Sequence, residues 1–128
     1  MPRVFKALEI EKEEKEIMRD YLDRHMPHVI CPDSVKRGDR FQVKVRMGDQ
    51  YPHPDEDDHY ISVIQLWNRE TLLAEARYSA GANGHRPSHV EVDFHLVAPD
   101  VSMNLSALAV CTKHGLWQSE DKAVKVND

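Results

Sequence analysis

The chain has 128 residues with 17 basic and 22 acidic side chains, so its formal charge is −5 when histidine is neutral. Hydrophobic residues make up 41% of the chain, which suffices for one compact core and excludes a disordered protein. The acidic balance argues against a nucleic-acid partner, and no apolar run approaches the roughly 20 residues that a membrane span needs.

The first predicted element is a helix over residues 8–24, which are rich in helix-forming side chains and carry a thin apolar stripe. Pro27 should end helical structure, because proline forces the preceding residue out of the helical region. The residues before the helix lack the apolar core of a secretory signal. We therefore expect a cytoplasmic protein.

Beyond residue 40, apolar and polar residues alternate in several short segments, which is typical of half-buried strands. Glycine, asparagine, aspartate and proline separate these segments and predict turns. The predicted strands cover residues 41–47, 60–67, 72–78, 90–96, 103–111 and 123–126. The pattern predicts an all-β domain, an antiparallel β-sandwich with a short N-terminal helix.

Eight histidines beside two cysteines are an unusual composition for a chain of this length. Cys31 and Cys111 are far apart in the sequence, and a small disulfide scaffold would carry more cysteines, so we expect reduced thiols. The sequence contains no Cys-x-x-Cys pair, and a four-cysteine metal site therefore cannot form. Any bound metal must use histidine.

Candidate ligands lie in three segments, each at the junction of a predicted element and a loop. His25 ends the predicted helix, His53 and His59 flank an acidic loop, and Cys111 and His114 follow the fifth strand. Four imidazoles and one thiolate are too many donors for a closed tetrahedral zinc site. They suit square-pyramidal Fe(II) with one open coordination position.

The three segments read His25-Met26-Pro27, then Pro52-His53-Pro54 with His59-Tyr60-Ile61, then Cys111-Thr112-Lys113-His114-Gly115-Leu116-Trp117. In this order and spacing they resemble the superoxide reductases of the neelaredoxin type, whose iron domain also occurs in desulfoferrodoxins. The resemblance covers roughly residues 23–126. It divides the chain into an N-terminal helical extension, 1–22, and an iron-binding β-sandwich domain, 23–128.

The resemblance implies an immunoglobulin-like sandwich with one mononuclear iron that cycles between Fe2+ and Fe3+. The implied ligands are His25, His53, His59 and His114 in the equatorial plane and Cys111 on the axis. The implied activity is the one-electron reduction of superoxide to hydrogen peroxide. The implied partners are a rubredoxin-like electron donor and further copies of the chain, as a homodimer or homotetramer. Without a Cys-x-x-Cys segment, the chain groups with the forms that have no second iron centre.

Three charged residues beside these motifs are candidates for a catalytic role. The family usually has a Glu-Lys pair before its first histidine, and this chain has Asp23-Arg24 instead. The resemblance implies that Arg24 attracts the superoxide anion, and that Asp23 closes the sixth iron position weakly because it is one methylene shorter than glutamate. Because the chain is acidic and superoxide is an anion, we expect Lys113, beside His114, to attract it as well. We also expect the backbone N–H groups of Lys113 and His114 to hydrogen-bond the sulfur of Cys111.

Two other functions stay open from the sequence. The Asp23-Arg24 departure would fit a non-catalytic iron-binding or sensing module of the same fold. A sandwich that mediates assembly and binds no metal is the third possibility. The acidic run 55–58 is predicted to be a solvated loop. The four remaining histidines are predicted to be surface residues; they are His28, His85, His89 and His95.

Overall fold

The computed structural model describes residues 19–128, and these residues form mostly β-structure with one short helix. Helix α1 covers Arg19–His25. The part of the predicted helix before residue 19 lies outside the described residues. The helix ends at His25 and the first strand begins at Pro27, as expected from the proline. No helix in the described range is long and apolar enough to cross a membrane.

Nine strands follow the helix in the described part of the chain. They are β1 Pro27–Ile30, β2 Ser34–Lys36, β3 Arg40–Met47, β4 Ile61–Asn68, β5 Thr71–Arg77, β6 Glu91–Val97, β7 Met103–Cys111, β8 Gly115–Gln118 and β9 Lys122–Asn127. The six predicted strands are confirmed, each to within one residue at either end. Strands β1, β2 and β8 were not predicted, because segments of three or four residues are too short to display an alternating pattern.

The strands form two sheets. One has the order β1-β3-β6, and the other has the order β2-β9-β7-β4-β5 with β8 paired to β7. Every pair is antiparallel except β2 with β9, where Ser34 is opposite Lys125 in a parallel register. The wholly antiparallel arrangement predicted from the sequence is therefore wrong for this pair. A parallel pair needs a long connection, and here most of the domain lies between the two strands.

The hydrophobic core lies between the sheets and contains side chains from both. Val43 and Val45 of β3 belong to the same buried cluster as Leu66 of β4 and Leu105 of β7, and all four have no exposed surface. The alternation in β3 explains this packing, because every second side chain of a strand points to the same face. The prediction of an all-β domain with one core is confirmed.

The strand register brings the five candidate ligand positions to one end of the domain. In the smaller sheet, Pro27 at the start of β1 is opposite Met47 at the end of β3. In the larger sheet, Cys111 at the end of β7 is opposite both Ile61 at the start of β4 and Gly115 at the start of β8. His25, His59 and His114 lie one or two residues before the starts of β1, β4 and β8, whereas His53 lies in the loop between β3 and β4. The fold therefore collects side chains that are far apart in the sequence.

Candidate metal centre

The five predicted ligands converge in the structure. The ligand atoms of His25, His59, Cys111 and His114 lie within 4.8 Å of one another. The Nε2 atom of His53 joins them, 3.3 Å from the Sγ atom of Cys111. His25, His53 and Cys111 are buried, whereas His59 and His114 are partly exposed. Solvent therefore reaches the cluster at His59 and His114.

The four imidazole rings stand around a square. The ring centroids of successive corners are 5.0 Å apart for His25 and His53, 4.8 Å for His53 and His59, 4.9 Å for His59 and His114, and 4.9 Å for His114 and His25. Neighbouring rings are nearly perpendicular, with interplanar angles of 77° to 82°. The diagonal pair His25 and His59 is 6.3 Å apart and nearly parallel. This arrangement directs four nitrogen atoms toward a common centre.

Hydrogen bonds identify the free nitrogen of the two buried rings. The Nδ1 atom of His25 lies 2.6 Å from the backbone oxygen of Tyr21, and Nδ1 of His53 lies 2.7 Å from the backbone oxygen of Pro54. A carbonyl oxygen only accepts, so both Nδ1 atoms carry the proton and both Nε2 atoms present a lone pair. Histidine ligands of metals are typically oriented by such a bond from the second nitrogen.

The two partly exposed rings also present one nitrogen each. The Nε2 atom of His59 is buried and has no hydrogen-bond partner among the described residues. The Nδ1 atom of His114 lies 3.2 Å from Nε2 of His25 and 3.8 Å from Sγ of Cys111. A buried nitrogen without a partner is costly unless something absent from the protein atoms binds it. A cation at the centre of the square would satisfy it.

Burial favours the neutral form of three histidines of the cluster, His25, His53 and His59. Desolvation lowers the pKa of His25 to about 4, opposed by the Tyr21 carbonyl and assisted by the charges of His114, His59 and Arg24. The pKa of His53 is lowered to about 4 by burial in the same way. Burial also lowers the pKa of His59, and His114 adds to the shift. Neutral imidazole is the form that binds metal, so these rings are ready to coordinate at neutral pH.

The sulfur of Cys111 is buried and surrounded by donors. Burial raises the pKa of its thiol, while the backbone N–H groups of Lys113 and His114 and the charge of Lys113 act in the opposite direction. The His114 nitrogen lies 3.3 Å from Sγ, so the predicted hydrogen bond from this N–H group is confirmed. A bound metal ion deprotonates a coordinating thiol, and these N–H groups would then stabilise the thiolate.

Two aromatic side chains support the cluster. The indole of Trp117 stacks on His25 with centroids 4.9 Å apart and an angle of 17°, and its Nε1–H donates to the backbone oxygen of His114 at 3.1 Å. The ring of Tyr21 contacts both His25 and His114, at centroid distances of 4.8 and 5.1 Å. Trp117 is the last residue of the third sequence motif, whereas Tyr21 was not singled out from the sequence. The available signal was spacing, because Tyr21 is one helical turn before His25.

The two predicted positive groups flank the square on different sides. Arg24 lies close to His25 and His53, since its charge contributes to the lowered pKa of both, and its Nη1–H donates to the backbone oxygen of Pro52 at 3.5 Å. It also pairs with Asp20 at 3.5 Å. The Lys113 charge lowers the pKa of His59, after burial and the charge of His114. The charges of Glu56 and Asp58 act on the pKa of His59 in the opposite direction, so they offset part of the positive charge near the cluster.

Asp23 has a different position from the one that the resemblance implies. It is not among the described side chains that converge on the square. Its carboxylate accepts hydrogen bonds from three successive backbone N–H groups, those of Asp49, Gln50 and Tyr51, at distances of 2.8 to 3.2 Å. The carboxylate is thus engaged with the turn after β3.

The acidic run 55–58 is not uniformly solvated, as the sequence had suggested. Glu56, Asp57 and Asp58 are exposed, but Asp55 is 3% exposed. Its carboxylate accepts N–H bonds from Gly81, Asn83 and His85 at 2.9 to 3.0 Å. Burial alone would raise the pKa of Asp55, but these three bonds outweigh it and the pKa lies below its usual range. Asp55 therefore fixes the loop before β6.

The remaining histidines lie outside the cluster. His85 and His95 are exposed and His28 is partly exposed, as predicted. His89 requires a correction, because it is half-buried and its Nδ1 lies 3.1 Å from the backbone oxygen of Met47. Strand β6 begins only at Glu91, so His89 precedes the alternating segment from which its exposure was inferred. Both cysteines are free thiols, as expected.

The donor set fits a mononuclear iron. Four imidazole nitrogens and one thiol sulfur converge, and the partly exposed His59 and His114 leave the cluster accessible to a small molecule. Five donors exceed what a tetrahedral zinc site uses, and iron accepts both imidazole and thiolate ligands. His25, His53, His59 and His114 would surround such an ion, with Cys111 on its buried side.

Comparisons with known proteins give the same indication. Residues 10–120 match the family model described as Desulfoferrodoxin, and this range includes all five converging side chains. A protein of Methanocaldococcus jannaschii, named provisionally as a superoxide reductase, is 35% identical over 104 residues, covering 79% of this chain and 83% of the relative. Neelaredoxin of Megalodesulfovibrio gigas is 28% identical over 115 residues, covering 80% of this chain and 87% of that protein. The structure of a superoxide reductase (neelaredoxin) from Ignicoccus hospitalis aligns at 28% identity with a TM-score of 0.72, over 97% of this chain and 95% of that chain.

Proposed function

Because this chain belongs to the desulfoferrodoxin family, we propose that it is a superoxide reductase. The observation that carries the proposal is the square of four imidazoles beside a buried cysteine sulfur. In the reaction, superoxide takes one electron and two protons and becomes hydrogen peroxide. The iron supplies that electron when it is bound.

We assign the equatorial positions around the iron to the four histidines and the axial position to the cysteine. The free Nε2 atoms of His25, His53 and His59 and the Nδ1 atom of His114 support the equatorial assignment. The position of Sγ of Cys111 near His53 and His114 supports the axial one. An axial thiolate donates electron density to the metal, and hydrogen bonds to the sulfur tune that donation.

We assign the attraction of superoxide to Arg24 and Lys113. Superoxide is an anion and the chain carries a net charge of −5, so a local positive field has to overcome the overall repulsion. The two side chains flank the square from different sides, which supports this role. Asp20 offsets part of the Arg24 charge, so Lys113, which is exposed, should contribute at least as much.

The steering role predicts a loss of rate that depends on salt. Replacing Arg24 or Lys113 with alanine should lower the second-order rate constant with superoxide about two- to tenfold at low ionic strength, because each change removes one attracting charge. The difference from the unchanged protein should shrink as salt is added. Rapid mixing with superoxide at several ionic strengths measures both effects.

Lys125→Ala is the matched control for this measurement. Lys125 is an exposed residue of β9, which pairs with the start of β7, whereas Cys111 ends β7. The control should leave the rate constant and its salt dependence unchanged. Equal behaviour of all three variants would show that the local charges do not steer the substrate.

Iron content and reaction stoichiometry test the proposed activity directly. Protein purified without oxygen should contain one iron per chain, and each superoxide consumed should yield one hydrogen peroxide and no molecular oxygen. A protein that binds iron but does not consume superoxide would be a binding or sensing module instead. A protein that binds no iron would leave an assembly role as the remaining possibility.

We further propose five features, of which the cytoplasmic location comes from the N-terminal sequence and the other four from the family resemblance. They are an immunoglobulin-like arrangement of the two sheets, the division into an extension, 1–22, and a domain, 23–128, a cytoplasmic location, a rubredoxin-like electron donor, and assembly into a homodimer or homotetramer. The shared core of the two sheets supports the first of these.

A further inference from the structure

We propose that Asp23 is a positioning residue, which holds the turn before His53 against the end of the helix that carries His25. It acts through backbone N–H groups of the turn and does not close the sixth position of the iron. The inference rests on the proposed function only in treating His25 and His53 as ligands.

The contacts of the carboxylate carry this inference. The Oδ2 atom of Asp23 accepts from the N–H groups of Asp49, Gln50 and Tyr51 at 3.2, 3.0 and 2.8 Å. Its Oδ1 atom also lies 3.2 Å from the Asp49 nitrogen. Three successive backbone N–H groups that point to one oxygen form a concave anion site, and a charged acceptor strengthens each bond.

Further backbone contacts keep the helix end and the turn together. The N–H of Met26 donates to the backbone oxygen of Asp23 at 3.1 Å, and the N–H of Gly48 donates to the backbone oxygen of Met26 at 2.9 Å. Gly48 has a φ of 74°, and a Cβ at this position would lie 2.6 Å from the backbone oxygen of Tyr51 and 3.2 Å from that of Asp23. The two segments approach so closely that only glycine fits between them.

The position of the turn decides the position of a ligand. Only Pro52 separates Tyr51 from His53, and proline holds its own φ nearly fixed. Asp23 lies two residues before His25 on the same helix. The carboxylate therefore joins the segments that carry two adjacent corners of the square, and a shift of the turn would displace Nε2 of His53.

The same contacts oppose a role as an iron ligand. If the carboxylate moved to the metal, three backbone N–H groups would lose their acceptor together. Aspartate is also shorter than the glutamate that the family usually has at this position. The shorter side chain suits the turn, because it brings the carboxylate to 2.8 Å from the Tyr51 nitrogen.

Three variants distinguish positioning from metal binding. The amide oxygen of Asp23→Asn can accept the same N–H bonds but carries no charge, so this variant should retain the affinity for Fe2+ within about threefold. Asp23→Ala removes the acceptor and should lower that affinity about 10- to 100-fold, as the loss of a group that orients a ligand typically does. Asp23→Glu displaces the carboxylate and should lie between the two. Asp39→Ala is the control, because this exposed residue lies at the opposite end of β3.

The readouts separate this inference from the proposed activity. Anaerobic titration gives the affinity for Fe2+, and the visible spectrum of the iron-loaded protein reports the ligand field. Two further measurements use the metal-free protein: the amide hydrogen exchange of residues 49–51 and the NMR signals of the His53 ring. We expect faster exchange and shifted His53 signals in Asp23→Ala and values near those of the unchanged protein in Asp23→Asn.

Equal losses of iron affinity in Asp23→Asn and Asp23→Ala, with unchanged amide exchange in both, would overturn the inference and favour a carboxylate bound to iron. If the unchanged protein binds no iron, the proposed function fails, while the metal-free measurements still decide the role of Asp23.

Discussion

Replacing Cys111 with serine is expected to lower the affinity for iron by at least about 100-fold, since losing a group that merely orients a ligand already costs 10- to 100-fold. The sulfur lies 3.3 Å from Nε2 of His53 and 3.8 Å from Nδ1 of His114, so its loss removes the one anionic donor of the cluster. A serine hydroxyl is a far weaker donor at neutral pH. Reduction of superoxide should fall with the iron content.

Anaerobic iron titration and the visible spectrum of the oxidised protein measure this effect. The thiolate-to-iron charge-transfer band should be absent from Cys111→Ser. The second cysteine provides a matched control, because Cys31 is a partly buried free thiol and lies outside the converging side chains, so Cys31→Ser should keep the band. If Cys111→Ser kept the band, the axial assignment would be wrong.

Replacing Trp117 with alanine is expected to lower the free energy of unfolding by about 3–5 kcal/mol, the usual cost of removing a large buried aromatic side chain. Trp117 is 3% exposed. The loss is a large fraction of the total stability of a typical domain, about 5–15 kcal/mol. The affinity for iron should fall as well, because the indole stacks on His25 and its Nε1–H fixes the backbone of His114.

Chemical denaturation of the metal-free protein measures the first effect and anaerobic titration the second. Trp117→Phe keeps an aromatic ring but loses the N–H donor, so it should lose only about 1 kcal/mol for the missing hydrogen bond. Trp67→Ala provides the matched control, because this partly buried tryptophan of β4 donates to Gln65 and lies outside the aromatic contacts of the cluster. It should lower stability without changing the affinity for iron. A similar loss of iron in both alanine variants would show that the effect of Trp117 is only global.

The sequence predicts most of the larger elements because their periodicity is local. The alternation in β3 and β7 identifies both strands from a few neighbouring residues. The pairing of β2 with β9 depends instead on how the whole chain returns to one edge, which no short pattern contains. Strand β8 is four residues long, so its pairing with β7 follows from the tight turn after Cys111 more than from its own composition.

The same distinction applies to the site. The residue types and spacing of the three motifs predict which side chains converge. They do not predict which ring nitrogen faces the centre, because that depends on the backbone oxygens of Tyr21 and Pro54. The hydrogen-bond partners of Asp23 and Asp55 were not predicted for a similar reason. Each carboxylate accepts from N–H groups at least 26 residues away, and an isolated aspartate in a sequence gives no sign of such a partner.

The scattering of the donors along the chain links metal capture to the completion of folding. Only donors that are close in the sequence, Cys111 with His114 and His53 with His59, can meet in an unfolded chain, whereas the strand pairing of the folded domain brings all five together. An unfolded or half-folded chain therefore offers iron a two-donor fragment, and only the finished domain offers all five donors. Binding that is much tighter to the native state than to its precursors stabilises the native state by mass action. Iron would thus select correctly folded molecules and slow their loss, and helix α1 would contribute to this selection through His25.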